Sequence, residues 1–321
     1  MKRGMRALCL LLGCLLLCGC TASPPPSLVL EEPTDKTSLV STGAEALPAD
    51  QMKAVLYFRY GDTDCLAGEE RVLEIRKDET PEMALVQALT AGPGATRSTL
   101  SPLFPEGTEA LAVSRQGDTL FVTFNEALLS RYADEPGDLS REPWKSESTL
   151  RRRLCMDALI DTLTEAGLCA RVQVLVHREK VQGNSLRLTM GYYSLSQDDT
   201  IAPPLTRRED VLLTPHNTAD RLLGAWMARD FAALYGFLGG ADKPTEQAAL
   251  SELSGARVLT SYELSPGNVS PDGMSAVLTA DLTFQGAGED TAVSGYPMYL
   301  QKENGLWKIT YERLAAAMEQ D

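Results

Sequence analysis

Cys20 closes the run Leu16-Leu17-Cys18-Gly19-Cys20, where cleavage of the preceding peptide bond would leave its thiol to be alkylated as a thioether and acylated. Lys2, Arg3 and Arg6 precede an apolar stretch from Ala7 to Leu17. That stretch, about eleven residues, has the length of a signal-peptide core and falls well short of the ~20 a membrane-spanning helix needs. The sequence predicts a lipoprotein signal over 1–19 with lipidation at Cys20, an ordinary secretory signal being the alternative. Two acyl chains attach a protein stably where a single chain does not. The expected address is the extracytoplasmic face of a cell membrane, with the membrane itself as one partner.

Other reactive side chains are sparse. Past the signal and Cys20, the cysteines are Cys65, Cys155 and Cys169, which cannot all pair; three free thiols are expected. His177 and His216 are the two histidines, far apart and without a neighbour at ligand spacing. No Cys-x-x-Cys, His-Glu-x-x-His or calcium-loop pattern occurs, so neither a metal nor another cofactor is expected. Gly-x-Ser-x-Gly elbows and phosphate-cradling glycine loops are missing too. Asp230, Tyr235, Tyr262 and Tyr299 are the residues that could carry acid-base chemistry in a C-terminal pocket, with Asp230 expected at the solvated edge of a helix. No catalytic residue is assigned. The candidate interaction residues are Trp144, in a charged aperiodic stretch, and Arg151 and Arg152. The basic run Arg151-Arg152-Arg153 can instead be a solvated helix face, with Arg153 and Asp157 paired one turn apart.

The elements that must position these residues follow from periodicity. Residues 20–50, rich in Pro, Ser, Thr and Glu, read as a flexible tether. Strands are expected at Ala54 to Tyr60 and Arg71 to Arg76, then a helix capped by Thr80 with Pro81 at its first position. A hairpin follows over Glu109 to Ser114 and Thr119 to Phe124, an exposed loop from Arg131 to Ser148, a helix from Ser148 to Ala166, and strands at Val172 to Val176 and Leu186 to Tyr193. A linker runs from Ala202 to Arg208. Beyond it Asn217 or Thr218 caps a helix whose apolar stripe, Leu223, Trp226, Met227, Phe231, Leu234, Tyr235 and Leu238, runs unbroken to Gly239-Gly240. A short helix at Thr245 to Leu253 precedes four strands, Arg257 to Leu264, Ser275 to Phe284, Ala292 to Gln301 and Leu306 to Arg313, the last two joined at Asn304-Gly305. The plan is α+β: a mixed sheet with helices on one face over 51–207, then helices leading into a curved antiparallel sheet over 215–321.

Charge narrows the partners. The chain carries −14, and losing three basic residues with the signal makes it −17. Such a balance repels phosphate backbones, so nucleic acid is not an expected partner.

Several short stretches, in this order, resemble the GerMN domain of the GerM family of sporulation and germination lipoproteins: Val55-Leu56-Tyr57-Phe58, Leu89-Thr90-Ala91-Gly92-Pro93, Leu120-Phe121-Val122-Thr123-Phe124-Asn125, Asp161-Thr162-Leu163-Thr164-Glu165 and Val172-Gln173-Val174-Leu175-Val176. The family commonly has an acidic residue and a serine where Thr123 and Asn125 stand, and 131–148 looks like an insertion. The C-terminal part, from Pro215, is similar to NTF2-like domains through its Trp226 to Leu238 helix and its ending Lys302-Glu303-Asn304-Gly305-Leu306-Trp307-Lys308-Ile309. These resemblances imply a non-catalytic scaffold in sporulation or spore germination that engages envelope proteins or peptidoglycan. The alternatives are a hydrolase or isomerase using the NTF2-like pocket, and a solute-binding lipoprotein.

Overall fold

Strand β1, Gln51–Tyr60, pairs antiparallel with β2, Leu66–Glu74, through an unbroken register from Gln51↔Glu74 to Arg59↔Leu66. Its far end also pairs with the short β3, Leu100–Ser101. The computed structural model describes residues 48, 50–178, 185–241, 243–286 and 289–319; the signal, Cys20 and nearly all of the tether lie outside them. Helix α1, Pro81–Thr90, starts as its sequence dictates: the Thr80 hydroxyl accepts the Met83 amide at 3.2 Å, and Pro81 occupies the first turn.

A second sheet has the order β4 (Ala110–Gln116), β5 (Thr119–Phe124), β6 (Arg171–His177) and β7 (Ser185–Arg187). β5 and β6 are parallel, which requires a long crossover. That crossover contains helix α2, Trp144–Glu165. From Leu154 to Leu163 every residue of α2 is buried, because the helix touches β1 of one sheet and β6 of the other. Tyr57 on β1 donates its amide to the Thr162 hydroxyl at 3.1 Å, fixing strand and helix together.

The strap after β7 holds a short helix α3, Met190–Ser194, and is stitched to the first half by bridges between Leu205 and Val172 and between Leu212 and Leu66. Helix α4, Pro215–Met227, begins one residue after Thr214, whose hydroxyl accepts the Asn217 amide at 3.1 Å. α5, Phe231–Gly236, and α6, Glu246–Leu253, follow. The second-half sheet is built on β11, Ser275–Phe284. β9, Leu259–Leu264, and β10, Asn268–Val269, share one edge of it, and β12, Thr291–Glu303, takes the other. β13, Leu306–Thr310, pairs with β12 and, in parallel, with β8, Leu238–Gly239. Asn304 and Gly305 both have positive φ, as a tight hairpin turn requires. The expected α+β plan is met, with the strands of the first half divided between two sheets.

Six local expectations need correction. α2 begins at Trp144, not Ser148, because the Glu142 carboxylate caps the Ser146 amide at 3.1 Å. Strand β2 starts at Leu66 and ends at Glu74, earlier than the 71–76 expected. The strand expected to run to Tyr193 stops at Arg187, and its later residues form α3. Neither Asn217 nor Thr218 caps α4, and the stripe to Leu238 is broken: Arg229 adopts φ 56° and Asp230 starts a new helix by accepting the Ala233 amide at 3.0 Å. The last strand ends at Thr310, where α7, Tyr311–Glu319, begins.

The two halves touch through named polar pairs. Tyr60 donates to the Gly236 carbonyl at 2.6 Å and accepts from Lys308 at 2.7 Å; Arg221 pairs with Asp64 at 2.7 Å and Lys302 with Glu70 at 2.8 Å. Burial pulls the Lys308 ammonium down to about 8.

Candidate functional site

Arg59, at the end of β1, is a charge placed in the interior: its residue is 3% exposed. A buried guanidinium needs acceptors on every edge. Nε donates to the Thr63 carbonyl at 2.7 Å and Nη2 to the Asp62 carbonyl at 2.8 Å. Nη1 and Nη2 grip Glu147 on the first turn of α2 at 2.5 and 3.1 Å, a bidentate pair. Glu147 accepts a third bond, from Arg151 Nε at 2.6 Å, and Arg151 Nη1 reaches Asp134 at 2.7 Å.

The next layer fixes the segment before α2. The guanidinium groups of Arg151 and Arg152 approach the Tyr132 ring, 5.4 and 5.6 Å from its centre, and Tyr132 donates its hydroxyl to the Leu103 carbonyl at 2.9 Å. Arg152 is buried on Glu135 at 3.2 Å and on the Ser148 carbonyl at 3.1 Å. The part of the expected exposed loop around Tyr132 and Glu135 is thus held down by side chains of α2.

Above this network opens a cleft of about 550 Å³. One wall is the segment from Ser101 to Thr108, the other Tyr132 to Asp134, with Arg59 and Arg151 below. Asp62, Glu106 and Asp134 give its rim a negative cast, while Pro102, Leu103, Phe104 and Pro105 offer apolar surface. Hydrogen bonding from Arg59 holds the Glu147 carboxyl below its ordinary range, Arg151 does the same for Asp134, and burial pushes the Tyr132 phenol up. All three keep fixed protonation states at neutral pH. The lining contains no Cys, His or Lys, so it offers hydrogen bonds, charge and apolar contact.

Of the residues singled out from sequence, Arg151 lines this cleft, Arg152 is buried behind it, and Trp144 is half-buried at the start of α2 outside the lining. Arg59 and Glu147, which hold the floor, carry no sequence signal, since 88 positions separate them. Arg153 and Asp157 do not form the expected ion pair; Asp157 is buried toward the strap, and Arg153 stays exposed. His177 ends β6 and His216 sits in the first turn of α4, well separated in the fold. No group of three or more His, Cys, Asp or Glu side chains among the described residues could hold a metal ion. Cys65, Cys155 and Cys169 are free thiols.

Of the C-terminal acid-base candidates, Asp230 and Tyr262 line one open cavity of about 570 Å³ with Asp220 and Arg221, whereas Tyr235 and Tyr299 lie outside its lining. Asp230 is an exposed helix cap, Tyr235 donates to the Pro244 carbonyl, Tyr262 donates to Asp220, and Tyr299 lies under Arg313. In the apolar interior around Trp226 the remaining space is about 10 Å³, lined by Leu223, Trp226, Leu282, Ile309 and Leu314 among others. That is room for one water at most.

Residues 55–182 match the family model Germane, described as sporulation and spore germination. Residues 55–182 are thus a Germane-like region, in agreement with the resemblance read from short stretches of sequence, and the cleft lies within it. Among solved structures, the tandem GerMN domains of the sporulation protein GerM from Bacillus subtilis are 15% identical, covering 53% of this chain and 51% of that one with a TM-score of 0.33. The match thus spans about half the length of that tandem structure. The first GerMN domain of the same protein is 14% identical, covering 50% of this chain and 99% of that one at a TM-score of 0.32. The assignment rests on the family match. No curated protein matches the chain.

Proposed function

We propose that this protein is a lipid-anchored, extracytoplasmic binding module of the sporulation or germination machinery, tethered at Cys20 and acting by holding a partner and not by turnover. The Germane match over 55–182 is the observation that carries the reading. The cleft over Arg59 and Arg151 is its contact face, taking an envelope protein or a peptidoglycan segment. The second half, NTF2-like in plan, serves as a packed support. The different plans of the two halves speak against a solute-binding protein with two like lobes. Confinement to a membrane plane raises the local concentration of the cleft near membrane-bound partners.

Glu106 is exposed on the rim, so Glu106→Lys should leave stability within about 0.5 kcal/mol of the parent. Pull-down of the lipidated protein from its own membranes should recover a partner or glycan that Glu106→Lys and Asp134→Ala each reduce by about tenfold. Equal recovery by both folded variants would remove the cleft from the proposal.

A further inference from the structure

Asp157 and Asp161 stand one turn apart on α2, facing the strap that leads into the second half. They are 5% and 0% exposed, and the Oδ2 of each is buried without a hydrogen-bond partner. Asp161 Oδ1 accepts the Arg208 amide at 2.8 Å, so one carboxyl directly fastens the strap. The charged groups around the pair are few, and most are engaged elsewhere. From the strap, the Arg207 guanidinium is held by Glu165 at 2.7 Å, and that of Arg208 is gripped by Asp210 at 2.7 and 2.8 Å. Arg153 on α2 itself is exposed, and Tyr193 of α3 contributes a phenol that burial keeps protonated. Two buried carboxyls are therefore left without a direct counter-charge.

Such a pair is costly to keep ionised, and a cation must relieve it. No third ligand completes a metal site among the described residues, which leaves the proton. We propose that Asp157 and Asp161 form a proton-operated clasp on the strap between the two halves, fastened in mild acid and loosened as the solution becomes neutral. Burial, the first cause in both cases, raises each carboxyl from its ordinary value of 3.8 to about 6. The folded state then holds more protons than the unfolded chain between these values. Docking of the strap is strengthened as pH falls through about 6 and weakened as it rises. The clasp and the cleft share no residue, so neither depends on the other.

The test is amide hydrogen exchange on the full chain, followed at Arg208 and corrected for the intrinsic rate. Opening of the strap should be at least about tenfold rarer at pH 5 than at pH 8. Asp161→Asn keeps a carbonyl acceptor for the Arg208 amide but cannot ionise, so it and Asp157→Asn should each flatten this difference. A carboxyl NMR titration of the unsubstituted protein, which does not depend on the variants folding, should give midpoints near 6 for both groups. Equal protection at the two pH values, or midpoints in the ordinary aspartate range, would overturn the clasp.

Discussion

Trp226→Ala is expected to destabilise the second half by about 3–5 kcal/mol, read as a lower urea midpoint. The side chain is 0% exposed on α4, its ring lies 5.5 Å from that of Phe284, and its indole N–H donates to the Arg257 carbonyl at 2.9 Å. Alanine removes the packing and orphans that carbonyl together. Because only about 10 Å³ remains open there now, the new void would have the size of most of an indole. A small apolar probe should bind the variant and not the parent. Trp226→Phe, which fills much of the space and loses the hydrogen bond, should cost clearly less. A cost below about 1 kcal/mol for the alanine variant would mean the indole is not the core of this half.

Glu147→Ala should cost about 3 kcal/mol in the first half, because it leaves the Arg59 guanidinium buried without its carboxylate. Arg151 retains Asp134, so the loss falls mainly on Arg59. Replacing both partners with apolar residues, Arg59→Met with Glu147→Leu, should recover much of the stability, since the charge that needed compensation is gone. A double-mutant cycle reads this coupling directly. The pH dependence has the opposite sign to that of the strap aspartates. Glu147 is held below its ordinary value, so its contribution is present above the unfolded carboxylate range and is lost as pH falls through the lowered folded value. Acid therefore weakens the floor of the cleft at pH values below those at which it tightens the strap. An additive cycle, with no coupling between the two positions, would contradict this account of the floor.

Where the chain carries local signals the elements are legible. Thr80-Pro81 starts α1 where expected, the alternation from Leu120 to Phe124 is a strand with one buried face, and Asn304-Gly305 turns a hairpin. Expectation fails where a tertiary contact overrides the local pattern. The first turn of α2 is polar and aperiodic, and what draws it into a helix is the Glu142 cap with Arg59 gripping Glu147. The break at Arg229 has neither glycine nor proline to announce it, although Asp230 three residues before Ala233 is a capping signal that the apolar stripe obscured. At the other end, Leu314-Ala315-Ala316-Ala317 is a helix-forming run that the preceding strand pattern masked. The site divides in the same way. Arg151 stands out as part of a basic run, whereas Arg59 and Glu147 become a pair only when β1 and α2 meet.

The proposed role rests on an anchor at Cys20, since such a binding module would work through being held at a membrane. Intact-mass analysis of the mature protein from its native membranes tests it most directly. The expected species begins at Cys20 and carries a diacylglyceryl thioether, with residues 1–19 gone. A chain that keeps those residues, or one cut elsewhere and free of fatty acid, would contradict the account.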